Sequence, residues 1–157
     1  MGTSEFLIHI VENYLTPGLV PGLIFLFGAF ISFATGSSWG VWSIMMPIAI
    51  PMAIAFDLSI PYVVASVIGG GLFGDQCSPI SDTTVMSSTG ASCNHVVHVM
   101  TQLPYGITVG VSAFIGFLFG GLSGQYILSI GVTAVILLIA LFALTKLSRI
   151  RHPEVIH

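Results

Sequence analysis

The sequence predicts an all-α membrane protein. Of its residues, 55% are hydrophobic and 6% are charged, whereas ordinary soluble domains carry about 25% charged residues. Its mean hydropathy is +1.03, and its apolar runs approach or reach the roughly 20 residues that a spanning helix requires. The formal net charge of −3 and the scarcity of basic residues argue against a nucleic-acid partner. We therefore expect membrane lipid around the chain.

The first third of the chain predicts an interfacial helix and then a helical hairpin. Residues 1–16 are interpreted as the interfacial helix, which Pro17 ends. Residues 17–56 contain two apolar arms joined by the polar tip Thr35-Gly36-Ser37-Ser38. The arms are either two full spans with a tight turn or a re-entrant hairpin whose tip stops inside the membrane. Because the tip carries no charge, the re-entrant hairpin is favoured.

Residues 61–100 predict a discontinuous, broken helix, in which two half-helices flank an unwound centre. The first half is expected to run from Tyr62 to Phe73, with the glycine run of residues 69–71 near its end, and the second to continue from Val85 to Val99. Between them lies a polar stretch from Gly74 to Thr84, interrupted by Pro79.

Two further transmembrane helices are predicted at residues 103–122 and 126–147, before a tail at residues 148–157. Basic residues cluster at this end, so the positive-inside rule places the C-terminus in the cytoplasm; they are Lys146, Arg149 and Arg151. The hairpin contributes an even number of crossings and the remaining elements three. The N-terminus is therefore expected on the outer side of the cell (inner) membrane, opposite the cytoplasmic C-terminus. Because transporters often pair such a segment with an inverted copy, the chain is expected to be half of an inverted-repeat transporter fold.

Asp75 and Asp82 are the candidate ion-binding residues. No Lys or Arg precedes Lys146, and an ionised carboxylate at the membrane centre costs about 2.5 to 3.5 kcal/mol. The compensating charge is expected to be a proton, a bound cation or a residue outside this chain. Hydroxyl groups accompany the carboxylates, and such hard oxygen ligands suit a hard cation such as sodium; they belong to Ser78, Ser81, Thr83 and Thr84.

Each candidate has a structural alternative. Asp82 can simply cap the second half-helix, with Asp75 in a wet interface, but intramembrane ionisable residues are functional by default. Asp82 is the stronger candidate because hydroxyl residues flank it on both sides. The hairpin tip alone fits a short turn. Two interrupted apolar elements in succession, however, indicate a binding site at the membrane midplane.

His95 and His98 share a helical face three residues apart. Without a carboxylate in register they do not favour a metal site, which needs three or four ligands. A gating or pH-sensing role near neutral pH remains open for them.

Three runs of residues resemble the NhaC family of sodium/proton antiporters, part of the ion transporter superfamily: Ile31 to Gly40, Gly74 to Thr84, and Thr101 to Tyr105. The resemblance implies a hairpin tip, a broken helix, a homodimer and alternating access. The ion-site residues that it implies are Thr35, Gly36, Ser37, Ser38, Asp75, Ser78, Ser81, Asp82, Thr83 and Thr84. Members are much longer, so the chain is expected to be a C-terminal fragment that lacks the N-terminal half of the transporter.

The expected function is exchange of sodium for protons, without a cofactor. Asp82, with Asp75 nearby, is expected to bind either sodium or protons, so that competition for one site couples the two fluxes. One alternative keeps the fold and changes the cargo to organic anions or amino acids, as in malate/lactate exchange.

Two hypotheses place the chain in a different class of protein. The first, an intramembrane aspartyl protease, is not favoured, because Leu72-Phe73-Gly74-Asp75 lacks the first Gly of a GxGD motif. The chain is therefore not expected to be an enzyme. The second is a non-functional remnant or one half of a split transporter.

Overall fold

A computed structural model describes the backbone of residues 16–151 and the side chains of residues 16–146. Within this range a 3₁₀ turn at Pro17–Leu19 precedes six α-helices. They are α1 (Val20–Thr35), α2 (Ser38–Ala55), α3 (Ile60–Cys77), α4 (Asp82–Gly90), α5 (His95–Ser123) and α6 (Tyr126–Arg151). The interfacial helix predicted at residues 1–16 falls outside the described residues except for Thr16, as does the predicted tail beyond Arg151.

Four helical segments are long and apolar enough to cross a membrane: Pro17–Thr35, Ser38–Ala55, His95–Ser123 and Tyr126–Lys146. Together with the purely helical secondary structure of residues 16–151, they confirm the prediction of an all-α, multi-pass membrane protein.

Helices α1 and α2 occupy the stretch predicted as a hairpin. Gly36 ends α1 in the left-handed conformation, with φ of 68°, and its N–H donates to the carbonyl of Ser32 at 2.8 Å. Glycine adopts this conformation without a steric penalty, which is why it commonly ends helices. Ser37 then takes an extended conformation and α2 begins at Ser38. The hairpin tip therefore consists of Gly36 and Ser37.

Helices α1 and α3 run in the same direction with their backbones almost touching. A Cβ atom on Gly70 would overlap the carbonyl oxygen of Phe25, and one on Gly74 would overlap that of Ala29. Small residues permit such close approach in membrane proteins. The glycine run therefore packs against α1 within the helix, and the prediction that the first half-helix ends at Phe73 is wrong. Helix α3 continues to Cys77.

The helical conformation is interrupted between Cys77 and Asp82, within the polar stretch predicted to unwind. We call this interruption the break. Helix α4 ends at Gly90, and Ser92 follows with φ of 51°. The side chain of Asn94 then accepts hydrogen bonds from the N–H groups of Val96 and Val97, at 3.0 and 3.3 Å. This cap starts α5 at His95. The prediction that the second half-helix continues to Val99 is therefore wrong.

An apolar core lies between α1, α2 and α3. Its buried members are Val20, Ile24, Val41, Met45, Ala49, Ala53, Val63 and Val67. Helix α5 runs antiparallel to α3, and the Tyr62 hydroxyl of α3 donates to the carbonyl of Gly116 on α5 at 2.9 Å. Because α1 and α3 are parallel, the hairpin tip and the break between α3 and α4 both lie at the level where α1 and α3 end.

Candidate functional site

Asp75 lies at the centre of a group of hydroxyl side chains where the hairpin tip meets the break. Its carboxylate is on the last turn of α3 and the residue is only 4% exposed. Oδ1 accepts a hydrogen bond from Ser81 Oγ at 2.8 Å. Oδ2 accepts from Ser38 Oγ at 3.4 Å and from Thr83 Oγ1 at 3.3 Å. We call these four residues the Asp75 cluster.

Three separate parts of the fold supply this cluster. Ser38 is the first residue of α2, so the hairpin tip determines its position. Ser81 caps α4, because its Oγ accepts from the N–H of Thr84 at 3.3 Å. Thr83 lies in the first turn of α4, and its Oγ1 is 2.8 Å from Ser81 Oγ. The backbone adds a direct contact, since Asp82 N–H donates to the carbonyl of Gly36 at 3.3 Å.

Asp82 lies outside the Asp75 cluster. It is exposed at the first position of α4, and its described hydrogen bond uses the backbone N–H. The residue expected to be central is therefore peripheral in this arrangement. The reason is that Ser81, rather than Asp82, occupies the capping position and directs its hydroxyl inward.

The other predicted site residues surround the cluster without contacting the Asp75 carboxylate through their described hydrogen bonds. Ser78 is fully buried, and its Oγ accepts from the N–H of Ile80 at 3.3 Å within the break. Thr84 is buried and takes part through its backbone. Thr35 is exposed and donates to the carbonyl of Ile31 at 2.9 Å, in its own helix. Ser37 is half-buried, and no hydrogen bond of its side chain caps α2.

The Asp75 cluster presents only oxygen atoms. No Lys or Arg occurs before Lys146 in the sequence, and a buried carboxylate needs compensation from hydrogen bonds and from a positive charge or proton. Three hydroxyl donors supply the hydrogen bonds. Among the described residues, no three His, Cys, Asp or Glu side chains come together as a metal-binding group. The arrangement is chemically suited to a hard cation or a proton.

The Asp75 cluster lies level with the middle of α5. Cys77 packs against Gly106, where an added Cβ would be 2.9 Å from the thiol sulfur, and Phe73 packs against Gly110. Gly106 and Gly110 lie on either side of the midpoint of this 29-residue helix. At about 1.5 Å per residue, α5 is about 40 Å long. The carboxylate is therefore far from both ends of the longest candidate span.

One polar contact at this site was not predicted from the sequence. The Nε2 atom of His95 lies 2.7 Å from the carbonyl oxygen of Pro79, in the break. The sequence contains one signal for it, the Asn94 cap, which makes His95 the first residue of α5 and brings it beside the break.

Comparisons with known proteins relate the chain to membrane antiporters. The model of the Na+/H+ antiporter family matches residues 1–122. An uncharacterised protein of Haemophilus influenzae is 42% identical over 148 residues, which cover 93% of this chain and 28% of that protein. An uncharacterised Na+/H+ antiporter of the same organism is 30% identical over 107 residues, covering 66% of this chain and 23% of that protein.

A third relative is the malate-2H+/Na+-lactate antiporter of Bacillus subtilis, 28% identical over 125 residues, which cover 76% of this chain and 27% of that protein. The chain thus spans about a quarter of the length of these curated relatives. No solved structure matches it. The family and its named relatives point to a transporter rather than an enzyme. From the match over residues 1–122 we conclude that the chain belongs to the Na+/H+ antiporter family.

Proposed function

We propose that this chain carries part of the ion site of a transporter that exchanges sodium for protons across the cell membrane. The observation that carries the proposal is the buried carboxylate of Asp75, bonded to three hydroxyl groups in a chain with no Lys or Arg before residue 146. The resemblance to the NhaC branch of the family supports the same cargo.

The proposed mechanism is competition for one carboxylate. When Asp75 is ionised, a sodium ion coordinated by its oxygens and the surrounding hydroxyls neutralises it. When sodium leaves, a proton replaces it, because a bare carboxylate is costly to keep inside a membrane. A site that holds either ion but not both couples their opposite movements. Asp82, exposed at the start of α4, is proposed to supply a second carboxylate at the edge of the site.

The level of the site supports a re-entrant hairpin. Gly18 packs against Gly121, near the C-terminal end of α5, whereas the hairpin tip packs against Ile80 in the break. The hairpin therefore starts at one end of α5 and reaches the level of the Asp75 cluster. We propose that the tip stops inside the membrane, with the C-terminus of the chain in the cytoplasm and the N-terminus outside.

The rest of the site is proposed to come from protein beyond this chain. The chain matches only about a quarter of its relatives' length, and the Asp75 cluster offers one carboxylate and three hydroxyls. An N-terminal half related by an inverted repeat would supply further ligands. A homodimer of the complete transporter is proposed on the family resemblance.

Sodium-dependent dequenching of a pH-sensitive dye tests the proposed exchange, in everted vesicles that contain the transporter carrying this chain. We expect Asp75→Asn to abolish the signal. Asp57→Asn is the matched control, because Asp57 is exposed in a turn with φ of 52°, a conformation that Asn tolerates. Normal dequenching with Asp75→Asn would contradict the proposal.

A second candidate function is exchange of an organic anion. The similarity to the malate-2H+/Na+-lactate antiporter favours it. A carboxylated cargo would need a cationic partner, which residues 1–145 do not contain as Lys or Arg, so the rest of the transporter would have to provide it. Counterflow of labelled malate or lactate distinguishes the two functions, since an exchanger of sodium and protons alone shows none.

A further inference from the structure

Gln102 of α5 contacts the end of α3 beside Asp75. Its Nε2 donates to the backbone carbonyl of Gln76 and lies 3.0 Å from Gln76 Oε1. The carboxamide of Gln102 carries two hydrogens on this nitrogen, so both contacts form at the same time. Gln102 belongs to the run Thr101 to Tyr105, which the Asp75 cluster does not use.

The carbonyl of Gln76 is one that its own helix cannot satisfy. The last four carbonyl groups of an α-helix have no partner within it, and α3 ends at Cys77. The carbonyl of Asp75 accepts from the N–H of Ser78 at 3.1 Å, within the break. The carbonyl of Gln76 takes its donor from another helix, α5. Inside a membrane a carbonyl without a partner is costly, so this contact stabilises the last turn of α3.

The packing of α5 against α3 brings Gln102 to this carbonyl. Gln102, Gly106 and Gly110 follow one another at intervals of four residues, so they lie on one face of α5. An added Cβ would be 2.9 Å from the sulfur of Cys77 at Gly106, and would overlap the ring of Phe73 at Gly110. The two glycines allow the helices to approach closely, and the polar side chain comes at the level where α3 ends.

The last turn of α3 is held from two directions. The carboxylate of Asp75 accepts from hydroxyl groups of α2 and α4, whereas the neighbouring carbonyl of Gln76 accepts from α5. The amide of Gln102 is uncharged. It therefore satisfies the carbonyl without adding a positive charge, which would compensate Asp75 in place of a bound cation.

We propose that Gln102 is a positioning residue of the ion site. By donating to the carbonyl of Gln76 it keeps the last turn of α3 helical, and the Asp75 carboxylate stays directed toward the hydroxyls of α2 and α4. Without this donor the turn adopts the productive arrangement for only a fraction of the time, and the apparent affinity for the ion falls by that fraction. The inference rests on the proposed exchange of sodium for protons.

The sodium dependence of exchange in everted vesicles tests the effect on the site. Gln102→Met, in the transporter that carries this chain, keeps the length of the side chain and removes its donor. At a fixed pH we expect the sodium concentration for half-maximal dequenching to rise about fivefold, as loss of one hydrogen bond implies. The rate at saturating sodium should stay within about twofold of the parent, because the carboxylate and the hydroxyls remain.

Two control variants isolate the contact with the backbone. Gln76→Met removes the Oε1 contact but leaves the carbonyl for Gln102, so the half-maximal sodium concentration should stay near that of the parent. Thr101→Val changes the adjacent residue, whose described hydrogen bonds go to carbonyls of its own helix, and should also have no effect. The proposal is overturned if Gln102→Met does not raise this concentration, or if Thr101→Val raises it equally.

Alkylation of Cys77 reports on the end of α3 without sodium. Cys77 is 5% exposed and follows Gln76 directly, and Cys93→Ser makes it the single thiol of the chain. With the whole chain in detergent micelles at one pH, we expect Gln102→Met to raise the rate of reaction with N-ethylmaleimide about fivefold. Thr101→Val should leave it unchanged.

The two measurements separate failure of this inference from failure of the proposed exchange. Equal alkylation rates for Gln102→Met and Thr101→Val would overturn the role of Gln102, and so would faster alkylation with an unchanged half-maximal sodium concentration. A parent transporter without sodium-dependent dequenching would overturn the exchange of sodium for protons. The alkylation rate alone would then decide whether Gln102 holds the end of α3.

Discussion

Ser81 Oγ donates a 2.8 Å hydrogen bond to Asp75 Oδ1 and at the same time accepts from the N–H of Thr84. One hydroxyl thus caps the helix after the break and bonds the carboxylate before it. Because Ser81 and Asp75 are both buried, water does not replace the two hydrogen bonds of Ser81 Oγ when this hydroxyl is removed. The folding of the break and the formation of the Asp75 cluster therefore depend on the same atom.

This dependence predicts that Ser81→Ala is destabilising. Loss of a capping hydroxyl costs about 1 kcal/mol, and a buried acceptor left without its partner costs about 1 to 3 kcal/mol more. Ser37→Ala is the matched control, because Ser37 precedes α2 without a side-chain capping bond. Thermal unfolding in detergent should show a clearly lower midpoint for Ser81→Ala and little change for Ser37→Ala. Equal midpoints for the two variants would disprove the dual role of Ser81.

The close approach of α1 and α3 predicts that Gly74→Ala disrupts the bundle. The added Cβ would overlap the carbonyl oxygen of Ala29, and overpacking of this kind costs about 1 to 3 kcal/mol. Gly40→Ala is the control, since nothing lies within 4 Å of a Cβ at that position of α2. Replacing this helical glycine should stabilise by up to about 1 kcal/mol. Opposite shifts of the unfolding midpoint are expected, and a shift of the same sign in both variants would count against the packing.

The hydroxyl of Tyr62 is expected to help hold α6 against α3 and α5. It donates to the carbonyl of Gly116 at 2.9 Å and lies 3.2 Å from Ser129 Oγ, so it connects α3 to α5 and α6. Tyr62→Phe should weaken this junction by about 1 kcal/mol. Hydrogen exchange of α6 amides near Ser129 should become faster. Tyr105→Phe, on the 54% exposed Tyr105, should leave exchange unchanged, and the same result for Tyr62→Phe would show that the hydroxyl is not needed.

The general fold could be predicted because it depends on composition and chain order. The apolar arms and the glycine at position 36 are visible in the sequence, and so is the proline at position 79. The end of α3 could not be predicted, because Gly70 and Gly74 continue the helix only where α1 provides a backbone to pack against. The start of α5 depends on one capping side chain, Asn94, within a polar stretch that resembles a continuing helix.

The residues of the candidate site could be predicted as a group but not ranked. Asp75 and Asp82 both lie near hydroxyl residues in the sequence. Asp82 was favoured because such residues flank it on both sides. In the structure Asp75 is buried and accepts a hydrogen bond from Ser38, 37 positions away, whereas Asp82 is exposed. Sequence spacing does not reveal a contact of that range.

Asp75 is the carboxylate proposed to exchange a proton for sodium. The most direct test adds sodium to the weakly buffered, detergent-solubilised transporter that carries this chain and measures the protons released. We expect release from the parent protein, none from Asp75→Asn, and partial release from Asp82→Asn. Release at the parent level from Asp75→Asn would contradict the claim.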